Sequence, residues 1–423
     1  MIDWKYADLF KQTSVKKTYI IDYPGGRITN EDLYLESVEI TEAISNEKTL
    51  KFGGCVSSSF KFKTKNISSN LIGQTLSVSM VVNDDYANPL QIGRYVARTE
   101  SLATDGLSKT VTCYDALYDV LNTDYSDWYH YIFSKVDELT INQFRYIFFE
   151  LIGIQQRQTD LILDDYVIRE QSIVNEKITG NVILSSLCEI NACFGKIGRS
   201  GAFEYVRLES GNELLPRNTL YPSDSLYPSK ADGGIDKNTY ITCKVENFIV
   251  QRINRVELLN ANGVMVGGYG SVIPPDRENK YTISNIFVYS MDSAGTQNAA
   301  FAIYNEISEI FYQPFTSKAI GNPCMEVGDS IKINLADGRV VNSYVMKRSM
   351  KGIHALSDEI GSNGTEYVET KNVGLASDVR KLKETTSQQY RVIDEMVRTE
   401  LKIAWVPDEA HVGSDPYTFY LIE

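Results

Sequence analysis

The chain has 423 residues, 43% of them hydrophobic and 23% charged, with a formal net charge of −13. Such a composition excludes disorder, and the acidic balance excludes a protein that grips duplex nucleic acid, which needs clustered Lys and Arg to displace counterions. A conduit wall that repels phosphate remains compatible with it, and the length implies two to four sub-domains.

Residues 14–112 alternate in the manner of strands, at 18–21, 33–40, 59–63, 76–82, 93–97 and 110–114. Gly25-Gly26, Gly53-Gly54 and Asn88-Pro89 punctuate them, and short strands at this spacing predict a barrel or sandwich. From Asp115 the period turns helical. A short helix is expected at 115–121. A longer one is expected at 141–153, with Thr140 as N-cap and Phe144, Ile147, Phe148, Leu151 and Ile152 as its apolar stripe.

Residues 179–208 form the most informative unit. Val182, Ile183, Leu187 and Ile190 suit one helix face. Cys193-Phe194-Gly195 ends that helix, with Gly195 expected in the left-handed conformation. Segments 196–198 and 202–206 then flank the turn Arg199-Ser200-Gly201, a hairpin signal. Pro216, Pro222 and Pro228 mark an irregular connection through Asp236.

A second β region is predicted at 240–245, 254–259 and 281–283. A helix at 297–311, stopped by Pro314, interrupts it. Strands resume at 325–335 and 339–350 around an Asp337-Gly338 turn. Residues 376–401 read as a polar helix whose Val379, Leu382, Ile393 and Met396 fit a weak heptad. Residues 407–423 are polar then aromatic, and are expected to order against a partner.

The 27 tyrosines stand against 3 histidines and 3 tryptophans, so aromatic burial falls mostly to a ring with a polar tip. Cys55, Cys113, Cys188, Cys193, Cys243 and Cys324 lack C-x-x-C pairing, and reduced, half-buried thiols are expected. Residues 1–5 lack the signature of a signal peptide and no stretch reaches membrane-span length, so a soluble product made inside a cell is expected.

No constellation for catalysis emerges. His130, His354 and His411 lie in unlike contexts without ligand spacing. Asp84-Asp85 and Asp164-Asp165 are adjacent residues that point apart on a strand, so neither doublet makes an acid–nucleophile pair; both read as turn residues. Ser57-Ser58-Ser59 lacks the Gly-x-Ser-x-Gly elbow. Gly267, Gly268 and Gly270 lack the lysine of a phosphate loop and read as a mobile hairpin tip. No catalytic, cofactor-binding or metal residue is expected, no cofactor is called for, and the protein is expected not to be an enzyme.

Four blocks carry a likeness. They are Ser14-Val15-Lys16-Lys17 with residues 28–33 (Ile-Thr-Asn-Glu-Asp-Leu), residues 50–55 (Leu-Lys-Phe-Gly-Gly-Cys), residues 187–199 (Leu-Cys-Glu-Ile-Asn-Ala-Cys-Phe-Gly-Lys-Ile-Gly-Arg) and residues 321–331 (Gly-Asn-Pro-Cys-Met-Glu-Val-Gly-Asp-Ser-Ile). The third is the most specific. These residues resemble the baseplate or tail-tip hub proteins of tailed bacteriophages and prophages of Gram-positive gut bacteria, a family related to contractile-tail hubs.

The resemblance implies a mainly β fold with α insertions (α+β): two tube-like β-barrel domains per chain, a helical insert and a C-terminal helix. The implied boundaries are 1–113 for the first barrel, 114–195 for the insert, 196–239 for the hairpin and its connection, 240–373 for the second barrel, 374–405 for the helix and 406–423 for a tail. It implies a homotrimer in the virion tail, assembled in the host bacterial cytoplasm, that adapts a hexameric tail tube to a threefold tip and forms part of the DNA conduit. The implied partners are distal-tail or tail-tube hexamer proteins and a fibre, spike or tape-measure protein, with DNA passing unbound. Relatives often continue into a hydrolase, whereas this chain ends shortly beyond its last helix, so no appended enzyme is expected. Two alternatives stand beside this: a tail protein that binds or cleaves host-wall carbohydrate, with Trp128 and Tyr129 stacking on sugars, and a hexameric distal-tail ring protein.

Overall fold

Strand alternation in the first region becomes seven strands, β1 (Lys17–Tyr23), β2 (Gly26–Thr29), β3 (Glu39–Ala43), β4 (Ser59–Thr64), β5 (Thr75–Val82), β6 (Leu90–Leu102) and β7 (Lys109–Tyr114). In the computed structural model the described residues are 10, 15–65, 68–169, 177–208, 240–271, 278–335, 339–366, 402–406 and 418–422. Their inward positions form one core. Phe60 and Phe62 of β4 face Cys113 and Val111 of β7, and all four are fully buried. Each Phe contributes about 2 kcal/mol through burial.

Between the two β regions lie α1 (Leu117–Asn122), α2 (Ser126–Phe133), β8 (Glu138–Thr140), α3 (Ile141–Ile152), β9 (Val167–Arg169), α4 (Gly180–Ile190), β10 (Phe194–Ile197) and β11 (Phe203–Val206). The start of α3 follows its sequence: the Thr140 hydroxyl accepts from the Gln143 N–H, and the Gln143 side chain accepts from the Thr140 N–H. Gly153 closes it at φ +67°. The end of α4 does not follow its sequence. Ala192, not Gly195, takes the positive φ, at +54°. Asn191 makes this possible, because its side chain donates to the Leu187 carbonyl at 2.8 Å and so caps the last turn.

The second region supplies β12 (Tyr240–Val245), β13 (Arg255–Leu259), β14 (Met265–Gly270), β15 (Lys280–Ile283), α5 (Ile286–Ser290), α6 (Ser293–Ile307), β16 (Phe315–Ile320), β17 (Ser330–Asn334), β18 (Val340–Tyr344), β19 (Lys347–Lys351) and β20 (Ser357–Gly361). The helix expected at 297–311 starts four residues earlier, since the Asp292 side chain accepts from the Gly295 N–H and caps it there. Gly267, Gly268 and Gly270 lie inside β14, not at a hairpin tip; a Cβ on Gly267 would come within 2.6 Å of the Thr296 carbonyl oxygen, so the glycine lets α6 sit against the strand. Segment 33–40 is not one strand either, because a 3-10 turn at Leu35–Ser37 precedes β3. The Asp337-Gly338 turn and the helix expected at 376–401 lie outside the described residues.

The largest departure concerns the two barrels, which do not form. One antiparallel sheet of eleven strands runs in the order β12-β16-β20-β19-β3-β4-β7-β6-β5-β1-β2. It is curled but open, because β12 and β2 stand at opposite ends. Closing a barrel from the first region alone would require β3 to meet β2. Instead β3 has β4 on one side and β19 on the other, with Ile40 opposite Met350 and Ala43 opposite Lys347. The second region therefore continues the first region's sheet. Smaller sheets accompany it: β14-β13-β15, in which β13 and β15 run parallel, and the pairs β10-β11, β17-β18 and β8-β9.

The chain divides into two units, Met1–Val272 with Glu278–Tyr367, and Ile273–Arg277 with Val368–Glu423. In the second, β21 (Lys402–Val406) and β22 (Thr418–Ile422) pair in parallel, with Ile403 opposite Phe419 and Trp405 opposite Leu421.

Candidate functional site

Three of the four sequence blocks meet at one place. The first contact joins residues 50–55 to the segment that follows α4. Gly53 N–H donates to the Cys193 carbonyl at 2.8 Å, and Gly195 N–H donates to the Gly54 carbonyl at 2.9 Å. The rings of Phe52 and Phe194 are 5.4 Å apart. Glycine is required on both sides of this seam. Gly53 sits at φ +87°, and a Cβ on it would lie 2.5 Å from the Ser185 carbonyl oxygen. A Cβ on Gly195 would lie 2.4 Å from Phe203 and 2.6 Å from the Cys55 Sγ.

The second contact joins the β10–β11 hairpin to the turn at 321–331. Lys196 Nζ lies 2.7 Å from Glu326 Oε2, and Arg199 Nε lies 3.2 Å from Glu326 Oε1. Arg199 Nη2 also donates to the Met325 carbonyl at 3.0 Å. Behind this turn, Arg348 of β19 holds Asp358 of β20 through two hydrogen bonds, at 2.9 and 2.8 Å, and donates to the Asn322 carbonyl at 2.8 Å. Both side chains of that pair are almost fully buried, 2% and 1% exposed, so the bidentate geometry is what makes the burial tolerable.

The electrostatics follow from this packing. Burial pushes the Glu326 carboxyl upward, but the charges of Lys196, Arg199 and Arg348 and the Lys196 hydrogen bond outweigh it and bring the pKa down to about 2. For Lys196 burial acts downward, and Glu326 reverses it to a net rise. Glu189 of α4 behaves otherwise. Burial dominates and raises its pKa, although Asn285 donates to it at 2.8 Å and Tyr281 at 3.4 Å. Glu189 thus ties α4 to the β15–α5 turn.

A small polar depression opens beside the ion pairs, lined by Glu42, Arg94, Tyr95, Asp115, Arg199 and Glu326 among others. Asp115 at its edge is saturated. Its carboxylate accepts from Ser57 Oγ at 2.8 Å, from Ser58 N and Oγ at 2.7 and 2.6 Å, and from Leu117 N at 2.9 Å. Ser57 and Ser58 are therefore donors to a structural carboxylate.

The other residues singled out in the sequence are dispersed. Asp84, at φ +64° in the β5–β6 turn, pairs with Lys16 at 2.8 Å. Asp85 accepts from Asn88 Nδ2 at 3.1 Å. Asp164 is held by Arg145 at 2.7 Å in the turn before β9, while its neighbour Asp165 is exposed. His130 packs on Tyr129, His354 is exposed, and His411 lies outside the described residues. Trp128 is half-buried against Phe144 and Phe148, with ring centroids 5.6 and 5.4 Å away. Among the described residues no group of three or more His, Cys, Asp or Glu is placed to hold a metal ion, and no helix is long and apolar enough to cross a membrane.

Sequence reading missed Arg145, Glu189, Glu326, Arg348 and Asp358. Arg348 carried a usable signal: it lies two residues before Met350 in an alternating segment, so it shares the inward face and demands a buried acid.

No family model matches the chain, and no curated protein does. Among solved structures it is similar to the 43 kDa tail protein of prophage MuSo2 from Shewanella oneidensis, with 11% identity and a TM-score of 0.48 over 81% of this chain and 97% of that one. A tail protein from Neisseria meningitidis is similar at 11% identity and a TM-score of 0.46, over 82% and 95% of the two chains. The prophage tail protein gp18 from Listeria monocytogenes is similar at 12% identity and a TM-score of 0.45, over 86% and 99%.

Proposed function

We propose that the chain is a structural subunit of the tail tip of a phage or phage-like particle, a hub that assembles with further copies of itself. The observation that carries this reading is the open sheet. Among the described residues, β2 and β12 each have a strand neighbour on one side only. A strand edge without a neighbour invites another strand, although on β2 the N–H and carbonyl of Thr29 are already bonded to Asp32. A ring of copies covers both edges at once, with β2 of one copy beside β12 of the next.

The stoichiometry in this reading is three. The trimer docks on a hexameric tail-tube or distal-tail ring above and on a fibre, spike or tape-measure protein below, and DNA passes through it without specific binding. The sheet has two unlike halves to offer such neighbours, seven strands from the first region and four from the second. The net charge of −13 suits a wall that phosphate must slide past. The blocks that carry the family likeness support the same reading, since their glycines and charges join the two β regions into one body. Assembly takes place in the host cytoplasm and the product resides in the virion tail.

Native mass measurement of the purified chain tests the reading. A particle of three chains supports it. A stable monomer contradicts it, and six chains point to a distal-tail ring.

A further inference from the structure

The seam between residues 50–55 and α4 contains two sulfurs in contact. Cys55 Sγ and Cys188 Sγ lie 3.8 Å apart, although 133 positions separate them in the chain. Cys188 is 0% exposed and Cys55 is 7% exposed. A third thiol lies close as well: Cys193 Sγ points at the Cys188 carbonyl oxygen at 3.4 Å and also hydrogen-bonds with the Cys188 thiol. Cys113 and Cys324 belong to the other hydrophobic core. Both residues are buried, and Cys55 is the less deeply buried of the two.

We propose that Cys55 and Cys188 are a modification site: a thiol pair that a small peroxide converts into an internal disulfide. The Cys55 thiolate attacks one peroxide oxygen, the O–O bond breaks, and hydroxide leaves and takes up the thiol proton as water. Cys55 then carries a sulfenic acid. Cys188 attacks that sulfur, the S–O bond breaks, and a second water leaves with the Cys188 proton. Two thiols lose two electrons together and one peroxide is reduced to two waters. The division of labour follows from burial. Cys188 is wholly buried, so a small oxidant meets the less deeply buried Cys55 first. Cys188 needs only to close on a sulfur already beside it, moving from 3.8 Å to roughly the 2.0 Å of a bond.

The bond would tie the loop before β4 to α4 across the seam. The occasion for it rests on the tail-tip reading, in which a particle folded in a reducing cytoplasm is released into an oxidising medium. The thiol chemistry does not rest on that reading, so a cross-link in a monomeric protein would refute the assembly and leave this proposal standing.

The test treats the purified full chain with hydrogen peroxide and maps it by non-reducing digestion and mass spectrometry. The expected result is one linked peptide pair, Cys55 with Cys188, and a melting temperature raised by roughly 5 °C. In a Cys188→Ala variant the sulfenic acid on Cys55 persists and is trapped by dimedone. Unmodified thiols at both positions, oxidation of Cys55 onward to sulfinic acid in the wild-type chain, or a cross-link to Cys193 would each overturn the proposal. The wild-type map decides even where the variant fails to fold.

Discussion

Lys196 and Glu326 are 130 positions apart in the chain and 2.7 Å apart in space. That ion pair fastens the β10–β11 hairpin to the turn that leads into β17. Through Arg199 and Met325 it reaches Arg348, which lies in the strand that joins the two β regions.

Replacing Glu326 with Gln should leave two cations, Lys196 and Arg199, without their partner in a mostly buried site. Breaking such a pair from one side costs about 3 kcal/mol. A lower urea midpoint at an unchanged m-value is the expected reading. The double change Lys196→Met with Glu326→Leu should lose less than Glu326→Gln alone, because no charge is then stranded.

The same carboxylate predicts an acid limb. Its folded pKa, about 2, lies below the ordinary Glu value of roughly 4.3. Its stabilisation is therefore complete above the unfolded value and is lost as pH falls through about 2, and it amounts to about 3 kcal/mol. Glu189 and Asp115 have raised values and act with the opposite sign: their contribution is full below the unfolded value and is lost as pH rises from it through the raised folded value. Subtracting the pH profile of Glu326→Gln from that of the wild type isolates the Glu326 limb. A difference independent of pH between 5 and 2 would contradict the assignment.

Two glycines should respond differently to alanine. Gly195→Ala places a methyl 2.4 Å from Phe203, so the seam must move, at about 3 kcal/mol. Gly153→Ala meets nothing within 4 Å and bears only the strain of φ +67°, about 1 kcal/mol. Thermal unfolding of the two variants side by side distinguishes these costs.

Trp128→Ala should lower stability by about 2 kcal/mol through lost contact with Phe144 and Phe148. Binding of cell-wall glycan by particles carrying this variant is expected to be unchanged. A selective loss of glycan binding at unchanged stability would favour the carbohydrate-binding alternative.

Much of the local structure was legible in the sequence, because local chemistry decides it. Thr140 and Gly153 mark the ends of α3, and Gly201 at φ +88° turns the hairpin that Arg199-Ser200-Gly201 announces. What could not be read was partnership. Alternation in residues 39–43 marks a strand with an inward face but does not say that β19, more than 300 positions away, lies on its second edge. The first barrel failed on that pairing, and the second failed also because β13–β15 and β17–β18 form sheets of their own. The junction was hidden for the same reason: Lys196 and Glu326 look like surface charges until two distant segments bring them together. Gly195 was singled out for its φ, whereas its role is to let Phe203 and Cys55 approach the backbone.

Electron microscopy of an assembled particle, with this subunit located in the density, decides whether the chain forms a ring at the tail tip. Three copies in a ring at the distal end of the tail tube are expected, with β2 of each copy running beside β12 of its neighbour. A subunit found elsewhere in the particle, or a ring in which those two strands stay uncovered, would contradict this.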